Sequence, residues 1–205
     1  MHDVLQLLAI TGVLFLSVLS PGPNFALVTS TAMTVSRRAG ILTGLGLAAA
    51  SCTWVVLAVA GLGLVIARHD WLHQLVQGVG ALYLMWLGVR LLLGARQPLQ
   101  SRTPGYAGSD LGAARKAFVV SMTNPKSIGF YGSIFTVMVP LAAPLWFYVA
   151  IVVLATLVSA GWYCGLALLF SHGVAQRLYA RAKTMIEATM GLILIALGGR
   201  LLLGR

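Results

Sequence analysis

Six long apolar stretches divide the chain, at about Val4–Val35, Ala39–Ala67, Trp71–Gly94, Ala117–Val139, Leu145–Phe170 and Met185–Leu203. An α-helix needs roughly 20 residues to cross a hydrocarbon core, and these stretches are of that order. The first is too long for one straight span and holds Ser20-Pro21-Gly22-Pro23-Asn24 at its middle. Two prolines so close together forbid a continuous helix, because each lacks an N–H and clashes with the preceding turn. Broken backbone is tolerated at membrane depth only where protein or a water-lined cavity covers it. Two helical pieces are therefore expected there, with Ser20 capping the second and Pro21 in its first position. Such a break exposes unpaired N–H groups and a positive dipole end, which suit an anionic group. The pattern leaves five or six crossings open, because the first stretch can cross once or fold back.

Residues 95–114 form a polar linker with Pro98, Pro104, Gly105, Gly108 and Ser109, a flexible connector. It splits a single membrane transport domain, 1–205, into a first repeat (1–94) and a second (115–205) of three stretches each. Leu87-Gly88-Val89-Arg90-Leu91-Leu92-Leu93-Gly94 matches Leu197-Gly198-Gly199-Arg200-Leu201-Leu202-Leu203-Gly204, an offset of 110. Ser51-Cys52-Thr53-Trp54 matches Ser159-Ala160-Gly161-Trp162, an offset of 108. The first proline break has a counterpart in Asn124-Pro125-Lys126. Three crossings per half invert the second half relative to the first. The expected fold is an all-α polytopic membrane protein whose six transmembrane segments form two inverted three-helix repeats, with a Pro-broken first helix in each half. Inverted repeats with broken helices are a secondary-transporter architecture, with the substrate at the repeat interface.

Composition supports a lipid setting. Hydrophobic residues make up 59% of the chain and charged residues only 9%, against about 25% charged in soluble domains. No Lys or Arg precedes Val4, so a cleaved secretory signal is not expected. Fourteen Lys and Arg against four acids give +10. They lie at stretch ends rather than on a stripe with aromatics, so they read as topology charge and not as a nucleic-acid surface. Arg37, Arg38, Arg90, Arg96, Arg102, Arg115, Lys116, Arg177, Arg181 and Lys183 fall in odd loops; Arg68, Arg200 and Arg205 fall on the other side. The positive-inside rule then places odd loops in the cytoplasm and both termini outside.

Candidate chemistry is sparse. Asn124 suits a helix N-cap and Pro125 a first-turn position. Lys126 lies ten residues past Lys116, roughly 15 Å along a helix. A lysine at such depth costs about 2.5–3.5 kcal/mol on insertion scales. Holding a substrate carboxylate, together with two converging helix N-termini, would account for it; capping backbone carbonyls or snorkelling would also. Asn24 can cap a helix or accept from a substrate amine. Ser51, Trp54, Ser159, Trp162 and Tyr163 can line a cavity or simply pack helices. Gly40, Gly44 and Gly46 read as close-packing positions. Asp3, Asp70 and Asp110 sit in termini or loops, and Glu187 is near the start of the last stretch, so no buried carboxylate is expected as a proton relay. Tyr83, Trp71, Trp146, Tyr148 and Tyr179 read as interfacial aromatics. Cys52 and Cys164 lie inside apolar stretches without CxxC or metal spacing. No nucleotide-binding, zinc or nucleophile motif is present, so neither an enzyme nor a cofactor is expected.

Four motifs resemble the LysE/RhtB amino-acid exporters: Ser20-Pro21-Gly22-Pro23-Asn24, Arg37-Arg38-Ala39-Gly40, Gly80 to Gly88, and Thr123-Asn124-Pro125-Lys126. Trp162 to Phe170 and Arg177 to Arg200 look most similar to the threonine and homoserine-lactone efflux branch. The resemblance implies a multi-pass bacterial inner-membrane exporter of small amino acids, driven by the proton-motive force and homodimeric. It carries Pro21, Gly22, Pro23, Asn124, Pro125 and Lys126 over as motif positions. Many relatives have Asp where this chain has Asn24, and some carry an acid near Ser159. Both departures point from a cationic substrate toward a neutral zwitterion such as threonine or homoserine. The alternatives are a thiol carrier using Cys52 and Cys164, or export of another small solute.

Overall fold

In the computed structural model, residues 2–66, 70–97, 110–140, 143–170 and 173–203 are described. Expectations on Arg68, His69, His172, Arg102, the prolines and glycines of 98–109, and Arg205 fall outside them. So do those on the side chains of Asp3, Asp70, Trp71, Asp110, Arg177 and Tyr179. The described residues form eight α-helices in the order α1 (His2–Leu19), α2 (Pro23–Thr34), α3 (Arg37–Ile66), α4 (Asp70–Gly94), α5 (Asp110–Met122), α6 (Pro125–Met138), α7 (Leu145–Phe170) and α8 (Gly173–Leu203).

Both proline motifs become helix breaks. The axes of α1 and α2 diverge by 56° across the first one. Gly22, not Ser20, occupies the N-cap of α2, in extended backbone (φ −165°, ψ −169°), and Pro23, not Pro21, opens the helix. The expected register is corrected by two residues for a steric reason. Gly22 precedes Pro23, and the residue before a proline is pushed out of the helical region. At the second break Asn124 caps α6 and Pro125 opens it, as the residue types suggested. Ser36 starts α3 by accepting a hydrogen bond from the Ala39 N–H at 3.0 Å.

By length and composition, Arg37–Gly61, Leu145–Phe170 and Arg181–Arg200 can each cross a membrane. The bent α1–α2 pair makes a fourth candidate, and Gly78–Gly94 is an apolar but shorter helix. With 13 and 14 residues, α5 and α6 are each below the roughly 20 a crossing needs. The chain is a multi-pass, all-α membrane protein.

The broadest packing is α3 on α7 and α4 on α8. Around α3 and α7, α5 contacts α3 as α1 contacts α7, and α6 contacts α3 as α2 contacts α7. Glycine sets how near the helices come. A Cβ on Gly88 would lie 2.6 Å from the Gly191 carbonyl oxygen, and one on Gly198 2.6 Å from that of Ala81. Gly44 rests against the Cys164 backbone, and Gly46 against the Ala114 carbonyl. Two apolar clusters result. One joins α1, α3, α4, α6, α7 and α8 around Phe130, Phe135 and Phe147; the other joins α1, α2, α3, α5 and α7 around Phe25, Leu47 and Leu166.

Three side chains depart from their sequence reading. Glu187 is buried, not peripheral, and its carboxylate meets Lys183 Nζ at 2.7 Å. Lys183 is buried with it and also donates to the carbonyls of Gly94 (3.0 Å) and Ala95 (3.4 Å), so it ties α8 to the end of α4. A helix C-terminus is electronegative, which accounts for a cation there. Tyr83 is not simply interfacial: its ring packs on Gly129 and its hydroxyl donates to the Pro125 carbonyl at 2.9 Å. A methyl group at Gly46 would strike backbone, which no rotamer change relieves. Gly46→Ala is expected to lower stability by about 1–3 kcal/mol, the range for overpacking. Gly61→Ala, where nothing lies within 4 Å, is the silent comparison. Thermal unfolding in detergent checks the difference.

Candidate functional site

The two breaks meet. Lys126 Nζ, in the first turn of α6, donates to Ser20 Oγ at 2.8 Å and to the Ser20 carbonyl at 3.4 Å. That carbonyl is available because the chain leaves helical geometry at Pro21. The space above Gly22 is where the lysine lies, since a Cβ there would sit 3.7 Å from both Lys126 Cδ and Nζ.

An amide chain binds the motifs together. Asn124 Oδ1 accepts from the Lys126 N–H at 3.0 Å, while its Nδ2 donates to Asn24 Oδ1 at 3.3 Å. Asn24 Nδ2 donates to Ser121 Oγ at 3.1 Å, and Trp54 Nε1 to the Ser121 carbonyl at 3.3 Å. Asn24 thus caps nothing; it joins α2 to the end of α5 and to the other break.

Around this junction is a cavity of about 30 Å³. That volume holds one or two waters, whereas small-molecule pockets run to about 300 Å³ or more. The cavity is therefore narrow, with no room for a small organic molecule. Its wall includes Ser17, Val18 and Ser20 from the end of α1, Gly22, Asn24 and Phe25 from the start of α2, and Ser51 from α3. Asn124, Lys126, Ser127, Tyr131 and Tyr163 complete it. Val18, Phe25 and Tyr163 belong to one apolar cluster and Tyr131 to the other, so the cavity lies between the two. Its wall carries one cation and no carboxylate.

Opposite the lysine lies a group of hydroxyls. Ser159 Oγ donates to Ser51 Oγ at 2.9 Å, with both serines buried. Tyr131 and Tyr163 stand on the same wall as Ser51 and Asn24. The Trp54 ring stacks on Tyr131 with 6.5 Å between centroids and 7° between planes.

Of the sequence candidates, Gly22, Asn24, Ser51, Asn124, Lys126 and Tyr163 reach the cavity wall. Ser159 and Trp54 stand one layer behind it. Pro21, Pro23 and Pro125 shape the breaks without joining the wall. Trp162 is elsewhere: it packs edge-on against Phe15 at 6.1 Å, and its Nε1 has no hydrogen-bond partner among the described residues. Its offset partner Trp54 gave no guide, because α3 and α7 present that position to different neighbours. Cys52 and Cys164 are both free thiols. Sequence reasoning missed Ser17, Ser20 as a lysine ligand, Ser127 and Tyr131. The i, i+4 spacing of Ser127 and Tyr131, just past Lys126, was the signal available.

A multi-pass helical fold with two breaks meeting on a half-buried ammonium, beside a narrow polar cavity, defines a membrane transport protein. The LysE type translocator family matches residues 4–205, and the chain belongs to it. It is 30% identical over 195 residues to the "Threonine efflux protein" of Salmonella typhi, covering 92% of this chain and 93% of that one. It is 29% identical over 204 residues to the "Threonine efflux protein" of Escherichia coli (strain K12), covering 97% and 98%. It is 28% identical over 179 residues to the "Leucine efflux protein" of Enterobacter sp. (strain 638), covering 87% and 85%. No solved structure matches the chain significantly.

Losing the Asn124 side chain removes the cap of α6 and its link to Asn24 together. Asn124→Ala is expected to destabilise the protein by about 1 kcal/mol for the cap alone, and by more with the second bond gone. Thermal unfolding of wild type and variant measures it.

Proposed function

We propose that this chain is a secondary exporter of small neutral amino acids from the cytoplasm, seated in a bacterial inner membrane. The single observation behind this is the Lys126 ammonium, held between two helix breaks beside a narrow polar cavity. A substrate carboxylate takes the place of Ser20 on Lys126, with the dipole ends of α2 and α6 adding to its stabilisation. The exposed Ser20 carbonyl and Asn24 Oδ1 supply acceptors for the substrate ammonium. A wall with one cation and no acid accepts a zwitterion and repels a cationic side chain. The relatives named for threonine and leucine efflux agree with a neutral substrate.

The cavity is too small for an amino acid as it stands, so export requires the walls to part. The extended Gly22 between α1 and α2 is the natural hinge. We read the fold as six spans in two inverted repeats, 1–94 and 115–205, joined by a cytoplasmic linker at 95–114, with odd loops inside and both termini outside. The exchanged contacts support this reading. The pairs Gly88/Gly191 and Ala81/Gly198 interconvert under the 110-residue offset, and the Ser51/Ser159 and Asn24/Asn124 pairs join like to like.

Export from cells loaded with dipeptides tests the proposal. Lys126→Ala removes a charge-assisted anchor worth about 1.5–3 kcal/mol, so export of threonine is expected to fall tenfold or more. Pro21→Ala, which lets α1 run on past Ser20, is expected to do the same. Export that survives both changes would remove the mechanism.

A further inference from the structure

One buried carboxylate has no part in the substrate site. Glu187 on α8 is 6% exposed, and its side chain is paired at 2.7 Å with that of Lys183, which is 7% exposed. Lys183 has three N–H donors, and three acceptors face it: the carboxylate of Glu187 and the carbonyls of Gly94 and Ala95. The pair is therefore asymmetric. If Glu187 becomes neutral, Lys183 still rests on two carbonyls at the electronegative end of α4. If Lys183 were lost, Glu187 would be left a buried unpaired anion. This arrangement lets a proton come and go on one member without stranding the other.

Little else charged surrounds the carboxylate. Among the helices packed on α8, α7 carries no Lys, Arg, His or acid, and α1 carries none from Val4 to Leu19. The described charged residue on α4 is Arg90, which lies over the Trp86 ring at 5.1 Å. Lys126 of α6 is the cation of the substrate site, where it donates to Ser20. Tyr83 of α4 is engaged with the Pro125 carbonyl, and Tyr148, Tyr163 and Cys164 are the titratable groups on α7.

We propose that Glu187 is the proton-carrying residue that couples export to an inward proton movement. This rests on the exporter reading above, since uphill export needs a coupled ion and the chain has no nucleotide motif. In the proposed step a proton from outside adds to a Glu187 carboxylate oxygen, forming an O–H bond and ending the ion pair with Lys183. Lys183 keeps its proton and its two carbonyl partners. When the inward-facing state returns, the O–H bond breaks, the proton leaves to the cytoplasm, and the pair reforms. Ending and restoring the pair takes a buried negative charge away from α8 and returns it in step with transport.

Purified protein in liposomes tests this with labelled threonine. Two rates are compared: exchange against unlabelled threonine, and accumulation driven by a proton gradient. Glu187→Gln is expected to lower the ratio of driven accumulation to exchange at least tenfold, and Glu187→Asp, which keeps a carboxylate, to recover part of it. A ratio unchanged in Glu187→Gln overturns the proposal, as does a parallel fall of both rates, which marks a structural role. A pH-sensitive dye in wild-type liposomes gives a second check that needs no variant: threonine transport without opposite proton movement overturns the proposal. Wild-type liposomes that neither exchange nor accumulate any neutral amino acid overturn the exporter reading and this one with it.

Discussion

The fold depends on giving a lysine ammonium a place inside an apolar bundle. A charge at that depth is stabilised only by geometry that supplies acceptors. The break at Ser20 supplies them, because a carbonyl released from helical bonding and an adjacent hydroxyl both turn to Lys126. Asn124 orients the lysine from the other side by holding its backbone N–H. Each break therefore completes the other. Remove the first and the ammonium loses its partners; remove the second and the ammonium is no longer delivered to them.

Close packing makes the meeting possible. Helices α3 and α7 approach through small residues, and the Ser51–Ser159 bond lies in their contact. That crossing brings α2 and α6 to opposite sides of one cavity. Tyr83 fastens the start of α6 from α4, with its ring in the space left by Gly129. The helices are interrupted at Pro21–Gly22 and at Thr123–Asn124. In the proposed cycle these are the points about which the narrow cavity widens, while the α3–α7 and α4–α8 contacts move as solid pieces.

Much of this was readable from residue types, and the limits have physical causes. Proline obliges a break, so both breaks were legible to within two residues. The exact start of α2 turned on Gly22 preceding Pro23, a local steric rule outweighing the capping preference of Ser20. Counting turns from Lys116 treated the chain as one helix, whereas it breaks at Thr123–Asn124 on the way to Lys126. What no periodicity could show was which side chain would receive it, because Ser20 and Lys126 are 106 positions apart. Burial of Glu187 was missed because the last stretch was taken to begin near Met185. In fact α8 starts at Gly173, and Lys183 folds back along it to cover the acid. Trp162 misled because a shared sequence offset does not give two positions the same neighbours.

The central claim is that Lys126 receives a carboxylate in the chamber between the two breaks. Competition for labelled threonine binding to purified protein tests it most directly, with unlabelled threonine compared against threoninamide. The amide has the same side chain and ammonium but no negative charge. The account predicts that threonine displaces the label and that threoninamide is at least tenfold weaker. Equal displacement by the two compounds would contradict it.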